Sequence, residues 1–145
     1  MPVEILVDGV EQIQTSTDEE FAANAQSLIR GNPDIVYFTE VTAMTAQPIM
    51  EAANTSKPVF SSVHANNIAA VISRMMDITH MDANSIVDRL QSCVYQVLVR
   101  NEEEDYVYPQ NRCVHFSQEL KDRLYGKELY EMQNIIREVE NSWVE

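Results

Sequence analysis

Glycine is scarce in this chain, with three among 145 residues. Glycine-rich phosphate loops and nucleophile elbows need several, and none of GxxxxGK(S/T), GxGxxG or GxSxG occurs, nor does HExxH. Basic residues are also few: 10 Lys and Arg stand against 23 Asp and Glu, a formal net charge of −13. Neutralising nucleic-acid phosphates takes clustered Lys and Arg, so nucleic acid is excluded as a direct ligand and basic or neutral partners are expected. The two cysteines, Cys93 and Cys113, lack CxxC spacing and indicate neither a zinc site nor a disulfide framework. No apolar run approaches the roughly 18 residues of a membrane span. Met1-Pro2-Val3-Glu4 has neither a basic stretch nor an apolar h-region, so a cytosolic location is expected.

What is present is a 45% hydrophobic composition, enough for one domain with a reasonable core. Ile5-Leu6-Val7, the turn signal Asp8-Gly9 and Val10 to Gln14 predict a short hairpin. Thr17-Asp18-Glu19-Glu20 has capping-box form, and Phe21, Ala25, Leu28 and Ile29 then share one helical face up to Gly31-Asn32-Pro33. Ile35-Val36-Tyr37-Phe38 reads as a strand buried on both faces, ending at the acid Glu40. A helix through Met50 to Asn54 leads to a second strand, Pro58 to His64. Two strand ends thus carry polar groups able to do chemistry, the place where open parallel sheets bind ligands.

Ile68, Val71, Ile72, Met75 and Met76 form an amphipathic stripe, and the Met pair reads as core filler. Asp82 is a candidate cap for a helix burying Ile86, Leu90, Cys93, Val94 and Val97. Tyr106-Val107-Tyr108 and Cys113 to Phe116 predict a late hairpin turning at Pro109 to Arg112. Leu129, Met132, Ile136, Val139 and Trp143 describe a C-terminal helix with one apolar seam, open to its own domain or to a neighbour. Alternating strands and helices are the rhythm of a parallel α/β sheet with right-handed crossovers. Acidic runs at 101–105 and 138–145 read as solvated faces.

The order and spacing of these signals resemble the bacterial type II secretion and type IV pilus assembly ATPases. Pro2-Val3-Glu4 is similar to the tail of that family's Asp box, and Gly9 to Gln14 to the stretch after it. Phe21-Ala22 through Val36, with Glu40 at the acidic end, resembles the approach to Walker B. Thr55, Val59-Phe60-Ser61-Ser62-Val63-His64-Ala65-Asn66, Arg74 and Asp77 are similar to the His box and the helix behind it, and Leu90 to Arg100 to the close of the core. The likeness covers residues 2–100. Where the family has Gly-Glu-x-Arg-Asp, this chain has Thr39-Glu40-Val41-Thr42-Ala43. The phosphate-binding loop, the arginine fingers and the four-cysteine zinc module of some relatives have no counterpart here.

The resemblance implies an α/β fold: the C-terminal portion of a RecA-like P-loop NTPase domain, a mainly parallel sheet flanked by helices. It divides the chain into a partial ATPase core, 1–100, and a hairpin and helix, 101–145. It implies a hexameric parent that uses ATP and Mg, acting in the cytoplasm against an inner-membrane platform protein and driving pilus assembly or secretion. Glu40 would polarise the attacking water or hold Mg through its water shell. His64 would sense the γ-phosphate, and Glu4 would reach the metal or an arginine. Arg30 and Arg74 are expected in ion pairs, and His80 and His115 in turns or at the surface. This chain by itself is expected to bind no nucleotide and to be inactive. The alternative is a non-catalytic interaction subunit of the same machinery, which the altered Walker B segment favours.

Overall fold

The computed structural model describes residues 5–55, 57–101 and 105–141, with side chains through residue 140. They form two compact units, 1–63 and 64–145.

The first unit is a βαβ arrangement preceded by a helix. Helix α1 (Asp18–Arg30) begins as the sequence predicts: the Thr17 hydroxyl accepts from Glu20 N–H at 3.2 Å, and the Glu20 carboxylate accepts from Ser16 N–H at 2.8 Å. It stops at Gly31, but the left-handed residue that turns the chain is Asn32, at φ 55°. Strand β1 (Val36–Phe38), helix α2 (Ala46–Ala53) and strand β2 (Val59–Ser61) follow, with β1 and β2 parallel and Tyr37 opposite Phe60. Phe21 of α1 meets the Phe38 ring at 5.7 Å, and Ala25, Val36, Phe38, Ile49 and Ala52 are buried.

Two expectations fail here. Strand β1 is not buried on both faces, since Val36 and Phe38 are inside while Tyr37 is 67% exposed. A four-residue apolar run cannot reveal whether its second face is covered. Nor does 5–14 form a hairpin. The turn is made, Val10 N–H donating to Val7 O at 3.2 Å, but the Gln12 amide takes the flanking backbone, accepting from Val7 N–H and donating to Ile5 O. A side chain that captures backbone groups in this way competes with ladder formation.

The second unit is a helical cluster around a long hairpin. A 3₁₀ turn (Ile68–Ala70), capped by the Asn67 side chain on Ala70 N–H at 2.9 Å, runs into α3 (Val71–Thr79). His80 ends α3 in the left-handed conformation at φ 57°, a turn residue as expected. Asp82 caps α4 (Ala83–Arg89), accepting from Ser85 N–H and hydroxyl, contacts that hold its carboxyl below the usual range. Strands β3 (Ser92–Asn101) and β4 (Tyr106–His115) form an antiparallel ladder. Helix α5 (Gln118–Leu124), capped by Ser117, and α6 (Leu129–Asn141) close the unit.

Here α4 is shorter than expected: Leu90 turns extended and Cys93, Val94 and Val97 lie in β3. Their spacing suits either period, and the β-branched density of the run settles it in favour of the strand. The late hairpin is likewise corrected, because 106–115 is one strand that runs through Pro109 and pairs with β3. Helix α5 was not anticipated, although Ser117 before Gln118-Glu119-Leu120 is a legible cap.

The α6 seam packs within its own unit. Ile68, Ile72, Val87, Val114, Leu124, Met132 and Ile136 form one buried cluster, with Leu129 and Val139 against it. Trp143 lies outside the described residues. Leu124→Ala is expected to destabilise by about 2–5 kcal/mol in urea unfolding, whereas the exposed Tyr125→Ala stays within about 0.5 kcal/mol.

The thiols point to opposite faces of the ladder, Cys93 beside buried Val114 and Cys113 beside exposed Val94. Burial, then the nearby Cys113, pushes Cys93 up to about 12. At mildly alkaline pH a maleimide is expected to label Cys113 in the native chain and both thiols in urea. Because the folded value is the raised one, the protonated Cys93 favours folding fully below pH 9.0, and this contribution is lost as pH rises toward about 12. Replacing Cys93 by Ala should flatten that alkaline decline in stability.

Candidate functional site

The parallel ladder ends at Phe38 and Ser61, and Glu40 stands two residues beyond it, half-buried. Nothing in the ladder itself holds that position. Ser62 does so from the neighbouring strand end: its hydroxyl donates to Thr39 O at 2.5 Å and its carbonyl accepts from Val41 N–H at 2.7 Å. The residues on either side of Glu40 are therefore both tied to one serine.

The Glu40 carbonyl is held from the other direction. Thr45, only 6% exposed, donates its hydroxyl to Glu40 O at 2.6 Å. The Thr45 hydroxyl oxygen in turn accepts from Thr42 N–H at 2.9 Å, and the Thr42 hydroxyl accepts from Thr45 N–H at 3.3 Å. This reciprocal clasp satisfies polar groups that would otherwise be stranded ahead of α2. It also occupies Thr42, so the position where the resembled pattern has arginine carries a short residue turned to local backbone work.

Thr42, Thr45 and Ser62 are the residues that sequence reasoning missed at this site. Thr-x-x-Thr directly after a strand end was the available signal. Ser62 had none, since its bond to Thr39 spans 23 positions.

The other candidates are placed as follows. His64 is exposed and opens the second unit, whereas Glu40 belongs to the first. Glu4 lies outside the described residues. His115 is exposed at the end of β4, its Nδ1 3.1 Å from the Ser92 hydroxyl. Arg30 lines a shallow depression with Gln26, Ile29 and Glu51. Among the described residues neither Arg30 nor Arg74 is in an ion pair, contrary to expectation, whereas Arg100, Arg112 and Arg123 pair with Asp105, Glu140 and Glu138. Both arginines are exposed, where water competes well with a carboxylate.

The fit to a magnesium nucleotide is partial. Phosphates need free N–H groups at a helix start. The first turn of α1 carries Asp18, Glu19 and Glu20, which repel an anion, and the turn into α2 is taken up by the threonine clasp. Gly9 and Gly126 sit in positive-φ turns and Gly31 at a helix end, so none forms a cradle. Among the described residues no three His, Cys, Asp or Glu side chains converge on a metal position. Glu40 fits a contact through water, and the described residues supply no phosphate grip.

Residues 1–143 match the family described as Type II/IV secretion system protein. The chain is 35% identical over 79 residues to type II secretion system protein E of Xanthomonas campestris pv. campestris, covering 52% of this chain and 14% of that protein. It is 36% identical over 77 residues to the type IV pilus assembly ATPase PilB of Acinetobacter baylyi, covering 51% of this chain and 13% of that one. The solved Legionella pneumophila ATPase DotB superposes with a TM-score of 0.76 at 21% identity, over 97% of this chain and 42% of the other. The α/β fold is thus that of part of such an ATPase, and the chain spans about a seventh of the length of those two curated relatives. With the match running over 1–143, this chain belongs to the type II/IV secretion system protein family.

Proposed function

We propose that these residues are the hydrolysis-assisting part of a hexameric motor ATPase that couples ATP turnover to pilus assembly or secretion at the inner membrane. The carrying observation is the position of Glu40, a half-buried residue whose backbone is held at the C-terminal edge of the parallel pair by Ser62 and Thr45. A carboxylate carried on a held backbone can orient a water with little reorganisation during the reaction. Bound nucleotide and its Mg would supply the phosphoryl group and most of the positive charge. The chain's own groups would position water, with Glu40 as its acceptor, and His64 and Glu4 would complete the charge pattern around the phosphates in the assembled parent. The division into a core at 1–100 and an appendage at 101–145 is part of this proposal, as are the cytoplasmic location and the platform partner. Among the described residues, no helix is long and apolar enough to cross a membrane.

A second reading, a non-catalytic subunit of the same machinery, is favoured by one feature: Thr42-Ala43 stands where an active Walker B segment has Arg-Asp. The apolar seam of α6 is not free to serve as its docking face, since it is buried in the second unit.

The 145-residue chain is expected to show no ATP turnover above its own Glu40→Gln variant and no binding of a fluorescent ATP analogue. In the whole gene product, Glu40→Gln should lower kcat by about 100-fold or more while analogue binding persists. Full analogue binding with no turnover in the unmutated product would instead support the non-catalytic subunit. Thr45→Val, which removes the hydroxyl under Glu40 and strands the carbonyl, should cost about 1–3 kcal/mol in chemical denaturation of the 145-residue chain.

A further inference from the structure

In a parallel ladder a bonded residue donates to the carbonyl one position before its partner and accepts from the N–H one position after it, and the next residue so bonded lies two along. With Val36 opposite Val59 and its N–H donating to Pro58 O at 3.0 Å, β1 bonds through Val36 and Phe38. One further step of the same pattern would bring Glu40 N–H to Ser62 O. The bond to Ser62 O comes instead from Val41 N–H, at 2.7 Å. Between Phe38 and Val41 the chain has therefore advanced by one residue relative to β2, as in a β-bulge.

This slip changes which side chain faces the core. Side chains alternate along a strand, and Val36 and Phe38 are buried while Tyr37 between them is exposed. An unbroken alternation would put Glu40 in the inward phase and Val41 in the outward one. Instead Val41 is buried, at 6% exposure, and Glu40 is half-buried beside it. Burying a carboxylate in an apolar core costs far more than burying a valine. One extra residue thus keeps the apolar side chain inside and releases the acid at the C-terminal edge of the strand pair.

Two polar groups of Ser62 serve the slip. Its carbonyl takes the Val41 N–H, and its hydroxyl donates to Thr39 O at 2.5 Å. Carbonyls of successive strand residues alternate in direction, so an unbroken ladder would point the Thr39 carbonyl away from β2; the hydroxyl of a β2 residue reaches it because it has turned. The peptide planes before and after Glu40 are thus each anchored to Ser62, and those two planes set φ and ψ and with them the direction of the Cα–Cβ bond. We propose that the Ser62 hydroxyl is a positioning group for hydrolysis: it holds the slip that turns Glu40 out of the core, and it acts on ATP turnover only through Glu40. The inference rests on the reading of Glu40 as acceptor of the attacking water.

One arm of the test does not depend on turnover. By NMR of the isotopically labelled 145-residue chain, Ser62→Ala is expected to move the Thr39 carbonyl carbon signal and to speed Val41 amide exchange by about threefold or more, with Ser62→Thr close to the unmutated chain. In the whole gene product, Ser62→Ala should lower kcat by about tenfold or more without changing affinity for a fluorescent ATP analogue, and Ser62→Thr should restore it. On a Glu40→Gln background, Ser62→Ala should cause no further loss, because a group that acts through Glu40 has nothing left to position. If Ser62→Ala does not fold, Ser62→Cys keeps the shape with a weaker donor and should show the same pattern to a smaller degree. Unmoved Thr39 and Val41 signals, an unchanged kcat, a parallel loss of analogue affinity, or an equal loss on the Glu40→Gln background each overturns the proposal. Normal turnover by Glu40→Gln itself, or none by the unmutated product, overturns the reading of Glu40 and this inference with it. A Glu40→Gln defect beside an unaffected Ser62→Ala overturns the inference alone.

Discussion

A parallel pair of strands is joined by backbone hydrogen bonds only as far as its ladder runs, and a group placed beyond the ladder keeps its position only if something else holds the two strand ends together. In the first unit that holding is done by Ser62, which donates to Thr39 O and accepts from Val41 N–H. Glu40 is the residue between those two attachment points. The constraint also sets the direction of the turn into α2, whose start depends on the Thr42 and Thr45 hydroxyls and on Thr45 reaching back to the Glu40 carbonyl. The carboxylate is thus carried on a backbone held by side-chain hydrogen bonds from Ser62, Thr42 and Thr45, which lowers the cost of pre-positioning it.

The second unit is built differently. Its 3₁₀ turn, α4 and α5 begin at side-chain caps, Asn67, Asp82 and Ser117, so those starts are set locally. What brings them together is the cluster around Ile72, Leu124, Met132 and Ile136. Lys121 reaching Asp88 O at 2.7 Å, and Gly126 N–H meeting the Asn84 side chain at 3.1 Å, tie α5 to α4 at its margin. The hairpin enters this cluster by one end, through Cys93, Tyr95 and Val114, while Leu98 and Val107 farther out stay exposed. One strand pair therefore serves as core at its base and as free surface beyond.

Much of this was legible in advance where the cause is local. The cap at Thr17 and the cap at Asp82 follow from the bonding reach of one side chain over three residues. The position of Glu40 just past a strand follows from an apolar run and its end. Errors arose where the deciding contact is distant. Cys93 and Val97 satisfy a helical and an extended spacing alike, and it is pairing with 110–114 that makes them strand. Pro109 reads as a turn until its pairing opposite Leu98 in the ladder is known, and Ser62 reads as one more polar residue of a strand until its bond across 23 positions is seen.

Composition and order alone determined the α/β class, the scarcity of phosphate-binding glycine, the acidic character and the family to which the motifs pointed, because these depend on which residues are present and how they follow one another. The tertiary structure decided which face of β1 stays open, that the α6 seam is spent inside its own unit, which residues hold Glu40, and which strand each half of the hairpin pairs with. Those properties depend on hydrogen bonds and burial between positions far apart in the chain, and a linear pattern of apolar and polar residues carries no record of which distant partner each one meets.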